Sequence, residues 1–136
     1  MTLILAKDVR RTETPNGVMT TLASPTQGGA GTAMWRVDML PDREGPLHAF
    51  DTEQVWTFVE GGATVQLGDE RIAVEVGDSL VMPADVPRQV FTEHGFAAVV
   101  VAQAGGQVYN PDGKGPEDAC DLAPKAAERV VAPWTR

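Results

Sequence analysis

Between Gln54 and Gln103 the chain is cut into short β-branched runs by turns, and no run is long enough for a helix. Gln54–Glu60, Thr64–Leu67, Arg71–Val76, Leu80–Met82, Arg88–Thr92 and Phe96–Gln103 each read as a strand. Gly61-Gly62, Gly68-Asp69 and Glu93-His94-Gly95 supply the tight reversals between them. Upstream, Thr32–Leu40 alternates, with Trp35, Val37 and Met39 on one face and Met34, Arg36, Asp38 and Leu40 on the other. Val18–Ala23 and Leu47–Phe50 add further strands, and Leu3–Leu5 and Lys7–Arg10 are expected as short edge strands. No useful helical period appears before residue 104. Eight or more short strands with closely spaced turns imply an all-β fold, either an antiparallel sandwich or a closed barrel.

Composition supports this. Fourteen Gly and ten Pro in 136 residues exceed the usual share of roughly 12%, as a turn-rich architecture requires. The length suits one domain with a core that needs no disulfide or metal staple. Its parts are N-terminal edge strands over 1–29, a core over about 30–104 and a tail over 105–136. In the tail, 123–131 is Ala-rich with Pro124 in the first turn, which predicts a short helix before Pro133 and an anchoring role for Trp134. The net charge of −8 disfavours nucleic acid and anionic membrane surfaces as partners. Cys120 is the single cysteine, so no internal disulfide and no Cys-based zinc site can form. That usage fits a cytoplasmic location, as do the lack of a secretory leader pattern and of a membrane-length apolar run. P-loop, dinucleotide-fingerprint, zinc-protease and serine-hydrolase motifs are not found.

Two blocks carry more specific information. In the first, His48-Ala49-Phe50 is followed after three residues by Gln54 and after six more by Gly61. In the second, Gly77 is followed after five residues by Pro83-Ala84-Asp85, after two more by Arg88, and after three more by Thr92. This frame resembles the cupin superfamily. Its first motif runs H-x-H, three or four residues, E, six residues, G. Its second runs G, five residues, P-x-G, two residues, H, three residues, N. Val55-x-x-Phe58-Val59-Glu60-Gly61-Gly62 and Gly77-Asp78-Ser79-Leu80-Val81-Met82-Pro83-Ala84 share the family's look. The resemblance implies a cupin-type double-stranded jelly-roll barrel with a short C-terminal helix or extended tail. It also implies a homodimer, since open edges and apolar outer faces are usually covered in that family.

In metal-binding cupins three His and one Glu of these motifs converge on a divalent ion. Here those positions hold His48, Phe50, Gln54 and Arg88. Phe cannot ligate and Arg offers no lone pair, whereas a catalytic metal such as zinc takes about three protein ligands. The expectation is therefore no metal and no cofactor, with Asp51 and Glu53 left open as entrants to the pocket. The pleat turns positions 48, 50, 54, 56 and 58 inward, with 88, 90 and 92 facing them. The expected site combines catalytic His48, Arg88 and Gln54 with ligand-binding Phe50, Trp56, Phe58, Val90 and Thr92. His48 would move a proton, Arg88 would clamp an oxyanion and Gln54 would orient.

That set suits a metal-independent isomerase, cyclase or lyase acting on an anionic or enolisable small molecule. Two alternatives stay open: a metal-dependent dioxygenase or isomerase with a reduced ligand set on His48 and Gln54, and a non-catalytic ligand-binding or structural barrel. Each residue also has a structural role to weigh. His48 and Gln54 can be core hydrogen-bonders, and Arg88 can pair with Asp38, Asp85 or Glu53. Trp56 and Phe58 can be ordinary core. Asp78 fits a turn and His94 an exposed turn, and Cys120 lies outside the barrel motifs.

Overall fold

The computed structural model describes residues 1–113, 124 and 128–136. Among the described residues thirteen strands follow in chain order: β1 (Arg11–Thr14), β2 (Gly17–Ala23), β3 (Thr32–Met39), β4 (Arg43–Glu44), β5 (Ala49–Phe50), β6 (Gln54–Gly61), β7 (Ala63–Leu67), β8 (Glu70–Val74), β9 (Ser79–Met82), β10 (Arg88–Thr92), β11 (Phe96–Gln103), β12 (Gln107–Tyr109) and β13 (Arg129–Val131). All ladders are antiparallel. One sheet orders its strands β1-β2-β3-β11-β6-β9, a second β4-β10-β7-β8, and a third β13-β12-β5. The chain is a jelly-roll β-barrel.

Alternation decides which side chains enter the lumen. On β3, Ala33, Trp35 and Val37 are buried while Thr32 and Met34 are exposed. On β6, Gln54, Trp56 and Phe58 point inward, and on β10 Arg88, Val90 and Thr92 do the same. Trp35, Trp56, Phe58, Val65, Met82, Phe96 and Val100 knit the sheets into one apolar core. Fully burying such a side chain is worth about 1.5–3 kcal/mol, so the lumen is the main source of stability. At the β6–β7 turn Gly61 has φ +63° and its Cα faces the Gly95 carbonyl across β11, where a Cβ would collide. Only Gly serves both demands.

Three expectations change. Leu3–Leu5 and Lys7–Arg10 are not strands; a 3-10 turn at Ala6–Asp8 breaks the extended run before β1 and leaves Leu3 and Leu5 exposed. The helix expected over 123–131 is replaced at its C-terminal end by β13, where Val130 pairs with Val108 and packs on the small cluster around Phe50 and Ala132. Pairing with an existing strand suits the β-branched Val130 and Val131 and overrides the helical propensity of the Ala residues before them. Residues 123 and 125–127 of that run, and Cys120, lie outside the described residues. Pro133–Thr135 form a 3-10 turn instead, and Trp134 packs against both clusters. No helix among the described residues is long and apolar enough to cross a membrane.

Candidate functional site

The barrel holds a cavity of about 340 Å³ that opens to solvent. Its walls come from β2 and β3 (Met19, Trp35, Val37, Met39), from β5 and β6 (Phe50, Gln54, Trp56), and from Val90, Phe96 and Val108 on β10, β11 and β12. Trp134 adds a wall from the tail, and the β1–β2 turn around Asn16 borders the opening side together with Glu44, Gly45 and Pro46.

Two polar side chains on the cavity wall have their hydrogen-bonding directions fixed by neighbours. His48 joins the β10 end through a two-way backbone bridge with Arg88, at 3.1 and 2.8 Å. Its Nδ1 lies 2.6 Å from the Pro46 carbonyl. A carbonyl only accepts, so Nδ1 carries the proton and Nε2 keeps a lone pair. The ring meets Phe50 edge-on at 5.3 Å. Burial holds the imidazole pKa down to about 4, with the Arg88 charge adding to the depression and the Pro46 bond opposing it. By its exposed area the residue is half-buried. At neutral pH His48 is uncharged.

Gln54 is 1% exposed. Its Oε1 accepts the Trp56 Nε1 proton at 3.0 Å. An indole can only donate, which fixes the amide orientation and turns Nε2 the other way. That NH2 group finds no acceptor among the described residues and belongs to a residue lining the cavity. The site therefore pairs a fixed acceptor, His48 Nε2, with a fixed donor, Gln54 Nε2, in apolar surroundings.

The rest of the expected set divides. Phe50, Trp56 and Val90 line the cavity, whereas Arg88, Phe58 and Thr92 do not. Arg88 is 1% exposed, yet its guanidinium donates to backbone: Nη2 to Pro83 O at 2.8 Å and Val86 O at 3.0 Å, Nε to Val86 O at 3.2 Å. It lies over the Phe50 ring at 5.6 Å. No ion pair to Asp38, Asp85 or Glu53 forms; Asp38 pairs with Arg36, and Asp85 accepts the Tyr109 hydroxyl at 2.7 Å. Burial lowers the Arg88 pKa to about 10, with Tyr109 and Asp85 holding it up. Phe58 is fully buried in the core against Phe96. Thr92 donates to Gly62 O at 2.9 Å and accepts from Gly95 N at 3.0 Å, which ties together the two turns at that end of the barrel.

A divalent ion does not fit the donors at the motif positions. Phe50 has no lone pair, Arg88 is a cation with no lone pair to offer, and Gln54 Oε1 is taken by Trp56. Asp51 and Glu53 do not line the cavity; Asp51 Oδ1 accepts Gln107 N at 2.7 Å. Among the described residues no three His, Cys, Asp or Glu stand close enough to hold a metal ion. His94 is exposed, 3.8 Å from the Glu93 carboxylate.

Reading the sequence missed Asn110, Trp134, Asp38 and Glu44 as wall residues. A lone Trp in a Gly- and Pro-rich tail was the one available signal for Trp134, since a large apolar group there must find a surface to cover.

Fold and cavity together define a jelly-roll barrel with a small-molecule-sized lumen. The cupin domain model matches residues 35–103, and the chain belongs to the cupin family. No curated protein matches its sequence. Among solved structures, a DMSP lyase from Ruegeria pomeroyi DSS-3 is similar at TM-score 0.62 and 18% identity, covering 71% of this chain and 57% of the lyase. An RmlC-like cupin from Shewanella frigidimarina NCIMB 400 is similar at TM-score 0.63 and 18% identity, covering 73% and 86%. Oxalate decarboxylase from Bacillus subtilis is similar at TM-score 0.65 and 19% identity, covering 73% of this chain and 28% of the decarboxylase. The chain thus spans just over half of the lyase and about a quarter of the decarboxylase. At these identities the likeness is one of fold.

Proposed function

We propose that residues 1–136 work as one domain that binds a small organic molecule in the barrel, and that it is an enzyme of the proton-transfer kind, an isomerase, cyclase or lyase acting on an enolisable substrate. The single observation that carries this reading is the His48 imidazole. Its Nδ1 proton is held by the Pro46 carbonyl, leaving Nε2 free as a base on the wall of the cavity. With its pKa near 4, His48 enters each turnover unprotonated and takes a proton rather than giving one. Gln54 Nε2 donates to the oxygen on which enolate charge develops. Arg88 has no direct contact in this scheme; its charge behind Phe50 helps keep His48 neutral. The metal-dependent alternative finds no donor set to support it, since His48 Nε2 is the one strong ligand left at the motif positions.

A second reading has its own observation. A base with so low a pKa is weak, which favours a barrel that binds its ligand without chemistry. Native mass spectrometry of the purified protein, followed by assay of the bound compound with wild type, His48→Ala and Gln54→Leu, separates the two. Turnover lost in His48→Ala with binding retained supports the enzyme. Binding without turnover in the wild type supports the binding protein, and no change in either property with either substitution overturns both.

The homodimer is part of the proposal. Met34, Val101, Val55 and Val81 sit side by side across β3, β11, β6 and β9, with Met34, Val101 and Val81 at 37%, 39% and 51% exposure on the outer face. A cytoplasmic setting is proposed from the cysteine usage alone.

A further inference from the structure

The chemistry of the cavity wall names a ligand class, an inference that rests on the small-molecule reading above. Arg88, the cation on the lumen side of β10, gives Nε and Nη2 to the Pro83 and Val86 carbonyls; its Nη1 is buried without a partner among the described residues, and the residue does not line the cavity. The two charged residues on the wall, Asp38 and Glu44, are both acidic, and no Lys or Arg lines it among the described residues. An ionised carboxylate entering this lumen loses its water against Trp, Phe, Val and Met side chains and gains no counter-charge there, a large penalty. A neutral molecule faces no such cost. Among the wall's polar groups it meets a neutral acceptor, His48 Nε2, and a neutral donor, Gln54 Nε2, each with its direction fixed by a neighbour. The volume of about 340 Å³ is roughly twice that of a ~150 Å³ apolar cavity that admits benzene.

We propose that the cavity takes a neutral, largely apolar molecule of one or two rings, with a hydroxyl that donates to His48 Nε2 and a carbonyl-type oxygen that accepts from Gln54 Nε2, and that it rejects the carboxylate analogue of the same molecule. The expected anionic substrate gives way to a neutral one, because the cation that was to receive it faces elsewhere.

The protein carries its own reporter. It has three tryptophans, and Trp35, Trp56 and Trp134 all line the cavity, so occupancy changes the intrinsic fluorescence. The test titrates the full chain at mildly acidic pH with 4-hydroxyacetophenone, with 4-hydroxybenzoate, which is the same ring with an ionised acid, and with toluene. The expected result is binding of the hydroxyketone at least about tenfold tighter than the acid, with toluene also entering. Gln54→Leu is expected to cost the hydroxyketone about tenfold while toluene binding holds. Equal or tighter binding of the acid overturns the proposal and leaves the small-molecule reading standing. Toluene binding without either polar probe also overturns it, since the His48–Gln54 pair then does not face the ligand. No fluorescence response to any of the three overturns the lumen reading itself. The wild-type comparison decides the question even where Gln54→Leu fails to fold.

Discussion

The two motif blocks put polar side chains on the same lumen face with opposite results. The first, entering β6, places Gln54 and the preceding His48 on the cavity wall, each with one hydrogen-bonding atom anchored and the other free. The second, on β10, places Arg88 and Thr92 inward, yet both turn to backbone: Arg88 gives Nε and Nη2 to the 83–86 loop with Nη1 left buried and unpartnered among the described residues, and Thr92 bonds Gly62 and Gly95. Pleating fixes the face of a side chain; the nearest unsatisfied backbone group fixes what it does there. Long, flexible Arg reaches its own loop, while short or rigid groups such as Gln54 and His48 stay where the strand puts them.

The contrast can be broken most visibly at Arg88. Arg88→Met keeps much of the volume and removes three hydrogen bonds from a charged donor, each worth about 1.5–3 kcal/mol. A loss of at least about 3 kcal/mol in denaturant unfolding is expected, with ligand binding in the folded protein changed little. Unaltered stability with abolished binding would place Arg88 with the first block. Acid provides a comparable effect from the other block. The His48 pKa falls from 6.5 to about 4 in the folded state, so between those pH values the unfolded chain binds the proton first. Stability is lost as pH falls through that window and levels off below it, by at most about 3 kcal/mol. His48→Leu should remove this share of the acid sensitivity, as read from denaturation midpoints at several pH values.

Thr92→Val sharpens the comparison on a smaller scale. It strands the Gly95 amide and the Gly62 carbonyl, so a loss of about 1–2 kcal/mol is expected, with no change in the fluorescence titration of any lumen probe. Affinity changes without loss of stability would show that Thr92 touches the ligand. Smallest in stability but clearest in mass is Val81→Lys on the outer face. A charge in the Met34–Val101–Val55–Val81 row should convert a dimer to a monomer in light scattering, with the lumen probes still bound. A wild type that is already monomeric removes the dimer.

The strands from β6 to β11 were legible because alternation and Gly turns leave little choice of period or register. The inward set at 48, 50, 54, 56, 58, 88, 90 and 92 follows from the same arithmetic. Roles within that set were not legible. Whether Arg88 meets a ligand or the Pro83 carbonyl depends on how the 83–86 loop folds back, with Asp85 at φ +62°, and no periodicity encodes that. The tail was least legible. Val130 and Trp134 take their places through contacts with Val108, Phe50 and the barrel wall, distant in sequence.

By itself, then, the sequence determined a β-barrel of cupin pattern and the loss of a metal-binding set at Phe50 and Arg88, since both are matters of residue type at fixed spacing. The tertiary structure alone decided that His48 presents Nε2 and Gln54 its NH2, and that Arg88 turns aside. Those outcomes depend on which carbonyl or indole lies within about 3 Å of each group, a distance set only when the sheets close.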